Sequence, residues 1–376
     1  MTDTQFKTCY TFDDVALVPQ YNNVDSRLET DVSVWITQHV KSQMPIIPAN
    51  MDTVIGPTLG NIIVKNGGIV IIHRFQPFEQ QLEQVKLWPN KCFVSIGIMC
   101  NMNEIHELYL NGALGVCIDI AHGHSESVIQ LIQNLRKEFP FDIQQPFEII
   151  AGNVCTVQGY IDLVNAGANA VKVGVGPGAV CTTRVVTGFG IPQFSAIYEI
   201  GRIAKKRKVP IIADGGIRNT KDMNLALAAG ASSVMIGSLF AKTLESAAPK
   251  FIKIKIDQDD QKETNYMPLN INSAIVDNAI NSDLDFSRLY VRYRGQASQE
   301  FQQEYYGQMK SGTVAEGVAS YFKCNTRAQN IIDEFLGALR SSMTYGGSRT
   351  IKEFQNKAEF VLVTNNYIVE SKPRLE

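Results

Sequence analysis

The residues best able to do chemistry stand together in Gly174-Val175-Gly176-Pro177-Gly178-Ala179-Val180-Cys181-Thr182-Thr183-Arg184. Three glycines and a proline dictate a tight loop, and a cysteine with two threonines follows directly. Glycine admits positive φ and lets other atoms approach the backbone closely. A thiol carried on such a loop is held in the open, where its thiolate can attack an electrophile. The same letters allow a plainer reading, a turn followed by a buried cysteine that packs as a small hydrophobe. The loop follows the β-type run Ala170-Val171-Lys172-Val173, which places it at a strand end.

Other polar or glycine clusters also close apolar runs: Asn50-Met51-Asp52, Asp119-Ile120-Ala121-His122-Gly123-His124, Gly152-Asn153, Asp214-Gly215-Gly216 and Gly237-Ser238. The runs span 45–51, 68–74, 92–98, 115–123, 148–154, 170–176, 210–216 and 233–239. Most are apolar almost without alternation, as in strands buried on both faces of a parallel sheet. Helical patterns lie between them. Ser125 opens one with apolar residues at i, i+3 and i+4; Thr220 opens another, ending at Gly230; residues 326–339 form an amphipathic third. Asn66-Gly67-Gly68, Asn111-Gly112-Ala113, Ala166-Gly167-Ala168 and Ala229-Gly230-Ala231 each read as a helix-ending glycine feeding the next strand. Eight such units predict an α/β fold, a (β/α)8 TIM barrel; an open doubly wound sheet fits the same pattern. In a barrel all these clusters fall on the rim at the C-terminal ends of the strands, where active sites sit.

On that rim, Asp214 could accept hydrogen bonds from ribose hydroxyls. The glycines after strands seven and eight could cradle a phosphate with backbone N–H groups, or serve only as turns. His122 and His124 have no third ligand near in sequence, which favours a hydrogen-bonding role over a metal. After the eighth strand, 251–256 and 288–293 alternate, while 257–265 are polar and 266–287 rich in Asn, Asp and Ser. That pattern predicts a long hairpin-like excursion with a mobile tip over 257–287, and 298–324 read as an active-site flap.

Composition narrows the class. The 376 residues are 45% hydrophobic and 19% charged, enough for a sizeable core and against disorder. A net charge of −2 gives no reason to expect nucleic acid or an anionic membrane as partner. No apolar run approaches the ~20 residues of a membrane span, and the first residues lack the pattern of a signal peptide. The seven cysteines form no Cys-x-x-Cys pair, which fits a reducing, cytoplasmic setting.

These motifs, in this order, resemble the superfamily of inosine-monophosphate dehydrogenase and guanosine-monophosphate reductase. The match runs through Thr11-Phe12-Asp13-Asp14-Val15, Ala49-Asn50-Met51-Asp52-Thr53-Val54, Ile118-Asp119-Ile120-Ala121-His122-Gly123-His124-Ser125 and Ala151-Gly152-Asn153-Val154. It continues through the cysteine loop, Ala213-Asp214-Gly215-Gly216 and Tyr293-Arg294-Gly295. The resemblance implies a barrel and one of two chemistries: oxidation of IMP to XMP with NAD, or reduction of GMP to IMP and ammonia with NADPH. Three features incline it to the reductase. Only residues 75–91 separate Arg74 from the third strand, where dehydrogenases commonly insert CBS domains, so residues 1–376 read as one catalytic domain with the excursion and flap (251–324) inside it. The stretch 299–314 holds Tyr305-Tyr306 but not the arginine that, with a tyrosine, activates water in the dehydrogenase. Ala49-Asn50-Met51, His73-Arg74-Phe75 and Ser341-Ser342-Met343-Thr344-Tyr345 look like the reductase. A dehydrogenase without CBS domains is the alternative; a non-catalytic barrel would be expected to lack the nucleophile or its proton relay.

Carried over residue by residue, the resemblance implies Cys181 as nucleophile and Thr183 with Glu316 as proton relay. It implies Asp214, Gly215, Gly216, Gly237, Ser238 and Tyr293 around ribose and phosphate, and Gly295, Gln296, Ala297 and Gly317 around the base. Arg74, Asp119, Ile120, Ala121, Val175 and Gly176 would meet the dinucleotide, with Ser26, Arg27, Ser341 and Ser342 as further contacts. A potassium ion would be held at Gly176, Gly178, Cys181 and Arg184, and the assembly would be a homotetramer. Departures from the family are Ala179, where serine is common, Gln296-Ala297 in place of a Met-Ser pair, and the long excursion.

Overall fold

The computed structural model describes residues 6–140, 146–258, 261–269, 288–309 and 312–373. Its centre is a sheet of eight parallel strands: β1 (Ile46–Pro48), β2 (Val70–Ile72), β3 (Cys92–Ile96), β4 (Ala113–Asp119), β5 (Glu148–Val154), β6 (Ala170–Val173), β7 (Ile211–Asp214) and β8 (Ser233–Ile236). Each pairs with its sequence neighbour from β2 to β8, and β8 returns to β1 with Val234 opposite Ile46. β1 and β2 meet at the seam, so the sheet closes nearly completely into a (β/α)8 barrel. The strands lie within the runs predicted, apart from an earlier start of β4.

The helices that alternate with them are α1 (Pro57–Lys65), α2 (Phe78–Leu87), α3 (Met102–Leu110), α4 (Glu126–Glu138), α5 (Val157–Ala166), α6 (Gln193–Arg207), α7 (Thr220–Ala228) and α8 (Ala328–Tyr345). Between β2 and β3 stands α2 alone. The recurrent glycine after a helix is real: Gly67, Gly112, Gly167 and Gly230 all have positive φ, which turns the chain into the next strand. Ser125 precedes α4 as expected. α7 opens at Thr220 as expected, with Asn219 as its cap, the Asn219 side chain accepting from the Asp222 N–H at 3.0 Å.

Strand side chains face either the barrel interior or the helix layer, and Ile46, Ile71, Val94, Ile150, Val171, Ile212 and Val234 are all fully buried. This two-sided burial is why the strands read as continuous apolar runs. The mouth at the strands' N-terminal ends is covered by a hairpin of Val34–Trp35 with Lys41–Ser42, where His39 meets the buried Glu148 at 2.7 Å. Val15–Leu17 pairs antiparallel with Phe360–Leu362, joining the two end regions of the chain.

The excursion is a four-stranded antiparallel sheet in the order β10-β9-β11-β12, built from β9 (Lys250–Gln258), β10 (Gln261–Leu269), β11 (Leu289–Arg294) and β12 (Ala319–Lys323). The expected hairpin is present, with Gln258 paired to Gln261, and much of the polar stretch expected at its tip belongs to strand β10. Residues 270–287 of the expected tip lie outside the described residues. The expected flap contains a helix, Gln299–Tyr306, capped by Ser298, and ends in β12. Among the described residues no helix is long and apolar enough to cross a membrane.

Gly115 tests the packing that sets β4 against β5. It holds a φ of +148°, and a Cβ there would lie 1.9 Å from the Glu148 carbonyl oxygen. Backbone cannot yield as a side-chain tip can. Gly115→Ala should cost about 2–4 kcal/mol of unfolding free energy, through strain and overpacking together. Gly188→Ala, at φ +75° with open space around it, should cost only about 1 kcal/mol. Denaturant melts of the two variants side by side check this; equal losses would contradict the packing described.

Candidate active site

β6 delivers the cysteine loop to the rim, and the excursion delivers its partner. Thr182 N–H donates to the Glu316 carbonyl at 3.0 Å, and Val318 N–H to the Val180 carbonyl at 3.0 Å, so Cys181 and Gly317 face each other as an antiparallel bridge. On its other edge the same segment is tied to the end of β11: Glu316 N–H donates to Ala297 O at 3.0 Å and Gly295 N–H to Val318 O at 3.1 Å. Cys181 Sγ stands 3.2 Å from Thr183 Oγ1, within sulfur hydrogen-bond reach. Two side chains of the cysteine loop and one of the excursion, Glu316, thus meet at one rim.

They line a cavity of about 290 Å³ at the C-terminal ends of the strands. Of the residues chosen from sequence, Cys181, Thr183 and Glu316 line it, as do Asp214, Gly215, Tyr293, Gly295, Gln296 and Ala297. Arg74, Asp119, Ile120, Ala121, Val175, Gly176 and Gly178 complete its wall. Gly237 and Gly317 stand directly behind: a Cβ on Gly237 would lie 2.6 Å from Tyr293 Oη, and one on Gly317 3.1 Å from Val180 O. Gly216 backs onto Pro177 of the loop, and Ser238 begins the short helix Ser238–Ala241.

The rest are not brought there within this chain. Ser26 caps the 3-10 turn Arg27–Glu29, and Ser341 and Ser342 lie on α8, which packs against that turn. Ser342 lines a separate cavity between α8 and the segment around Leu17–Gln20. Arg184 reaches back onto the loop that it follows. Its guanidinium has no lone pair; it donates to Val175 O at 3.1 Å and Ile191 O at 2.6 Å. Its own carbonyl accepts from Gly188 N–H at 3.1 Å. Arg184 therefore braces the loop. No group of three or more His, Cys, Asp or Glu among the described residues could hold a metal. His124 takes Asp162 as partner at 2.9 Å.

The floor of the cavity is charged. Lys172 Nζ donates to Asp119 Oδ1 at 3.1 Å and Asp214 Oδ2 at 3.3 Å. Burial works against this ammonium, but the two carboxylates outweigh it and raise its pKa above the ordinary value. Asn153 Nδ2 adds a hydrogen bond to Asp214 Oδ2 at 2.9 Å. Arg74 Nε lies 3.8 Å from Asp119 Oδ2 and, buried, makes no hydrogen bond, while its guanidinium sits 4.2 Å over the Phe75 ring. A buried donor left over in a cavity wall suits a polar ligand. Lys172 escapes a reading of the sequence because its neighbours are apolar; the signal that marks it is a charge inside a strand buried on both faces.

The motif order, the barrel and this rim can now be set beside known proteins. Residues 9–260 and 280–374 match the IMP dehydrogenase / GMP reductase domain. The chain belongs to that family. The inosine-5'-monophosphate dehydrogenase of Aquifex aeolicus is 29% identical, covering 96% of this chain and 94% of that protein over 500 aligned positions. That of Borreliella burgdorferi is 31% identical over 98% of this chain and 97% of its own length. The GMP reductase of Streptococcus gordonii is 34% identical over 95% of this chain and 96% of its own, in 365 positions. The protein is thus an oxidoreductase of a family that uses a nicotinamide cofactor on purine nucleotides such as IMP or GMP.

The cysteines supply a chemical test. Burial pushes the thiols of Cys92 and Cys117 up to about 12, so they stay protonated and shielded near neutral pH. Cys181 is only half-buried on the cavity wall. Iodoacetamide near neutral pH should label Cys181 and neither Cys92 nor Cys117, and GMP or IMP should slow that labelling. Peptide mapping by mass spectrometry reads the outcome; labelling at Cys181 indifferent to both nucleotides would separate the loop from the nucleotide site.

Proposed function

We propose that this protein is a GMP reductase, converting GMP to IMP and ammonia with NADPH. What carries the reading is the state of the arginines nearest the flap. Arg294 pairs with Asp52 at 2.8 Å and with Glu304, and Arg292 with Glu304 at 3.0 Å. The flap's own stretch offers Tyr305 and Tyr306 and no arginine. Among the described residues, neither Arg292 nor Arg294 is free to act as the water-activating arginine a dehydrogenase needs. Support also comes from the full-length match to a reductase in 365 positions, where the Aquifex dehydrogenase takes 500, more than this chain contains.

On this reading Cys181, as thiolate, adds to C2 of GMP. The exocyclic amine leaves as ammonia, with Glu316 and Thr183 moving the proton it needs. A dinucleotide held beside Arg74 and Asp119 would supply the hydride that C2 takes up. The C2–S bond then breaks, IMP is released and Cys181 is regenerated; two protons are taken up overall as ammonium forms. Asp214, Gly215, Gly216, Gly237, Ser238 and Tyr293 hold ribose and phosphate, and Gly295, Gln296, Ala297 and Gly317 hold the base. Arg74, Asp119, Ile120, Ala121, Val175 and Gly176 face the nicotinamide half. Ser26, Arg27, Ser341 and Ser342 would reach the far half from a neighbouring copy in a homotetramer. The carbonyls of Gly176, Gly178 and Cys181 are neutral oxygen donors of the kind that suits K+. The proposed setting is the cytoplasm, with neither membrane nor nucleic acid as partner.

Two assays decide the chemistry. Wild-type protein with GMP and NADPH should consume NADPH and release ammonia, and with IMP and NAD should give little XMP. Cys181→Ser should bind nucleotide yet lose turnover. Glu316→Gln should slow ammonia release by about 10²–10⁴-fold, the range for a lost general acid–base. Robust XMP formation without ammonia from GMP would reassign the reaction to the dehydrogenase.

A further inference from the structure

One charged group of the cavity has no part in those steps. Lys172 on β6 is 1% exposed, yet its ammonium reaches the cavity floor. It spans the barrel laterally, donating to Asp119 at the end of β4 and to Asp214 at the end of β7. Asn153 on β5 fixes the same Asp214 oxygen at 2.9 Å and also donates to Gly174 O at 2.9 Å. The titratable or charged groups facing Lys172 are Asp119, Asp214 and the buried Cys117. Arg74 lies beyond Asp119 and Tyr293 beyond Asp214. A methionine would satisfy the packing of a strand buried on both faces. What it could not do is stop two carboxylates from repelling each other.

We propose that Lys172 is a positioning residue that orients Asp214 for the nucleotide and Asp119 for the dinucleotide with one shared ammonium. The proposal rests on the reading that Asp214 and Asp119 serve those two ligands. A carboxylate held ionised and fixed presents acceptor lone pairs to hydroxyls of a ligand. Without the ammonium the like charges drive one carboxylate to take a proton, and the pair then titrates together. While both remain ionised they push each other out of place and no longer present the same acceptors; a proton shared between them draws the pair back.

The test measures KM for nucleotide and for dinucleotide, together with kcat, in wild type, Lys172→Met and Lys172→Arg. Whichever pair the wild type turns over is used, GMP with NADPH or IMP with NAD, so a wrong reaction assignment does not touch this test. A wild type that turns over neither pair overturns both the reading and the proposal. Lys172→Met should raise both KM values by about 10- to 100-fold, the loss of a hydrogen bond to a charged group, with a smaller change in kcat. Its nucleotide KM should improve as pH falls from about 8.5 to about 6, where one shared proton replaces the lost cation, a dependence absent from wild type. Lys172→Arg should recover most of the affinity. A folded Lys172→Met with both KM values unchanged, or with a loss confined to kcat, overturns the proposal. Should Lys172→Met fail to fold, Lys172→Met combined with Asp119→Asn removes one charge of each sign. Nucleotide KM should then return towards wild type while dinucleotide KM stays high; equal losses for both ligands overturn the proposal.

Discussion

Everything in the site hangs on four backbone hydrogen bonds around residues 316–318. This segment runs as a single strand between the cysteine loop and the end of β11, bonded to Val180 and Thr182 on one edge and to Gly295 and Ala297 on the other. A glycine-rich loop has few side chains with which to hold itself, so its place must come from its neighbours. Here the neighbours are peptide groups, which leaves Cys181, Thr183 and Glu316 free for chemistry. Gly317 sits close in this contact: Val180 O, Ser298 N and the Gly295 Cα all fall within 3.4 Å of where its Cβ would be. A side chain there would push the loop of Cys181 away from Glu316.

That contact explains why so long a stretch of chain is spent after β8. The antiparallel sheet packs on a small core of its own, Leu244, Ala248, Leu289, Val291 and Cys324. Along β11 the burial alternates, with Leu289, Val291 and Tyr293 inward. The third of these reaches the barrel rim, packing at Gly237 and placing Oη 3.5 Å from Met51 Sδ. One residue on, Arg294 is anchored to Asp52 beyond β1. Gln296 then donates to the Asn50 carbonyl at 3.0 Å. The excursion is stitched to the rim residue by residue before it returns through Glu316. Phe75, Phe301 and Tyr305 close the flap helix onto the chain beyond β2, with Phe75 and Phe301 centroids 4.6 Å apart.

The barrel was legible because its strands are buried on both faces, which writes them as apolar runs with no competing pattern. The rim was legible because it carries residues, such as Asp119, Asp214 and the loop glycines, that such strands otherwise exclude. The excursion was harder for the opposite reason. Its outer strands carry polar residues on faces that meet solvent, so β10 looks like loop, and even Pro268 is tolerated there on an edge strand. The flap helix is short and polar, and only the Ser298 cap announces it. The pairing of Gly317 with Cys181 has no local signature at all, since it joins segments more than a hundred residues apart through backbone groups any sequence possesses. Lys172 was hidden differently. Its partners lie on strands that only closure of the barrel brings together.

The charge balance of the cavity bears on how an anionic nucleotide could be held there. Lys172 and Arg74 stand in the lining with Asp119, Asp214 and Glu316, two cations against three anions, and Arg294 is committed to Asp52 and Glu304. The protein as a whole carries −2. A phosphate group would therefore find a lining with more anions than cations, with a donor left over only on Arg74, and attraction by net charge is not the way in. What remains are neutral dipoles: peptide N–H groups at the turns around Gly215 and Gly216, and the hydroxyl of Ser238. Neutral donors fixed by the fold reward shape and exact placement more than charge. On the proposed reading this suits a site that must hold a purine nucleotide firmly while its base is attacked, and still release a product carrying the same phosphate. A lysine or arginine aimed at that phosphate would bind substrate and product alike, and would do nothing to separate them.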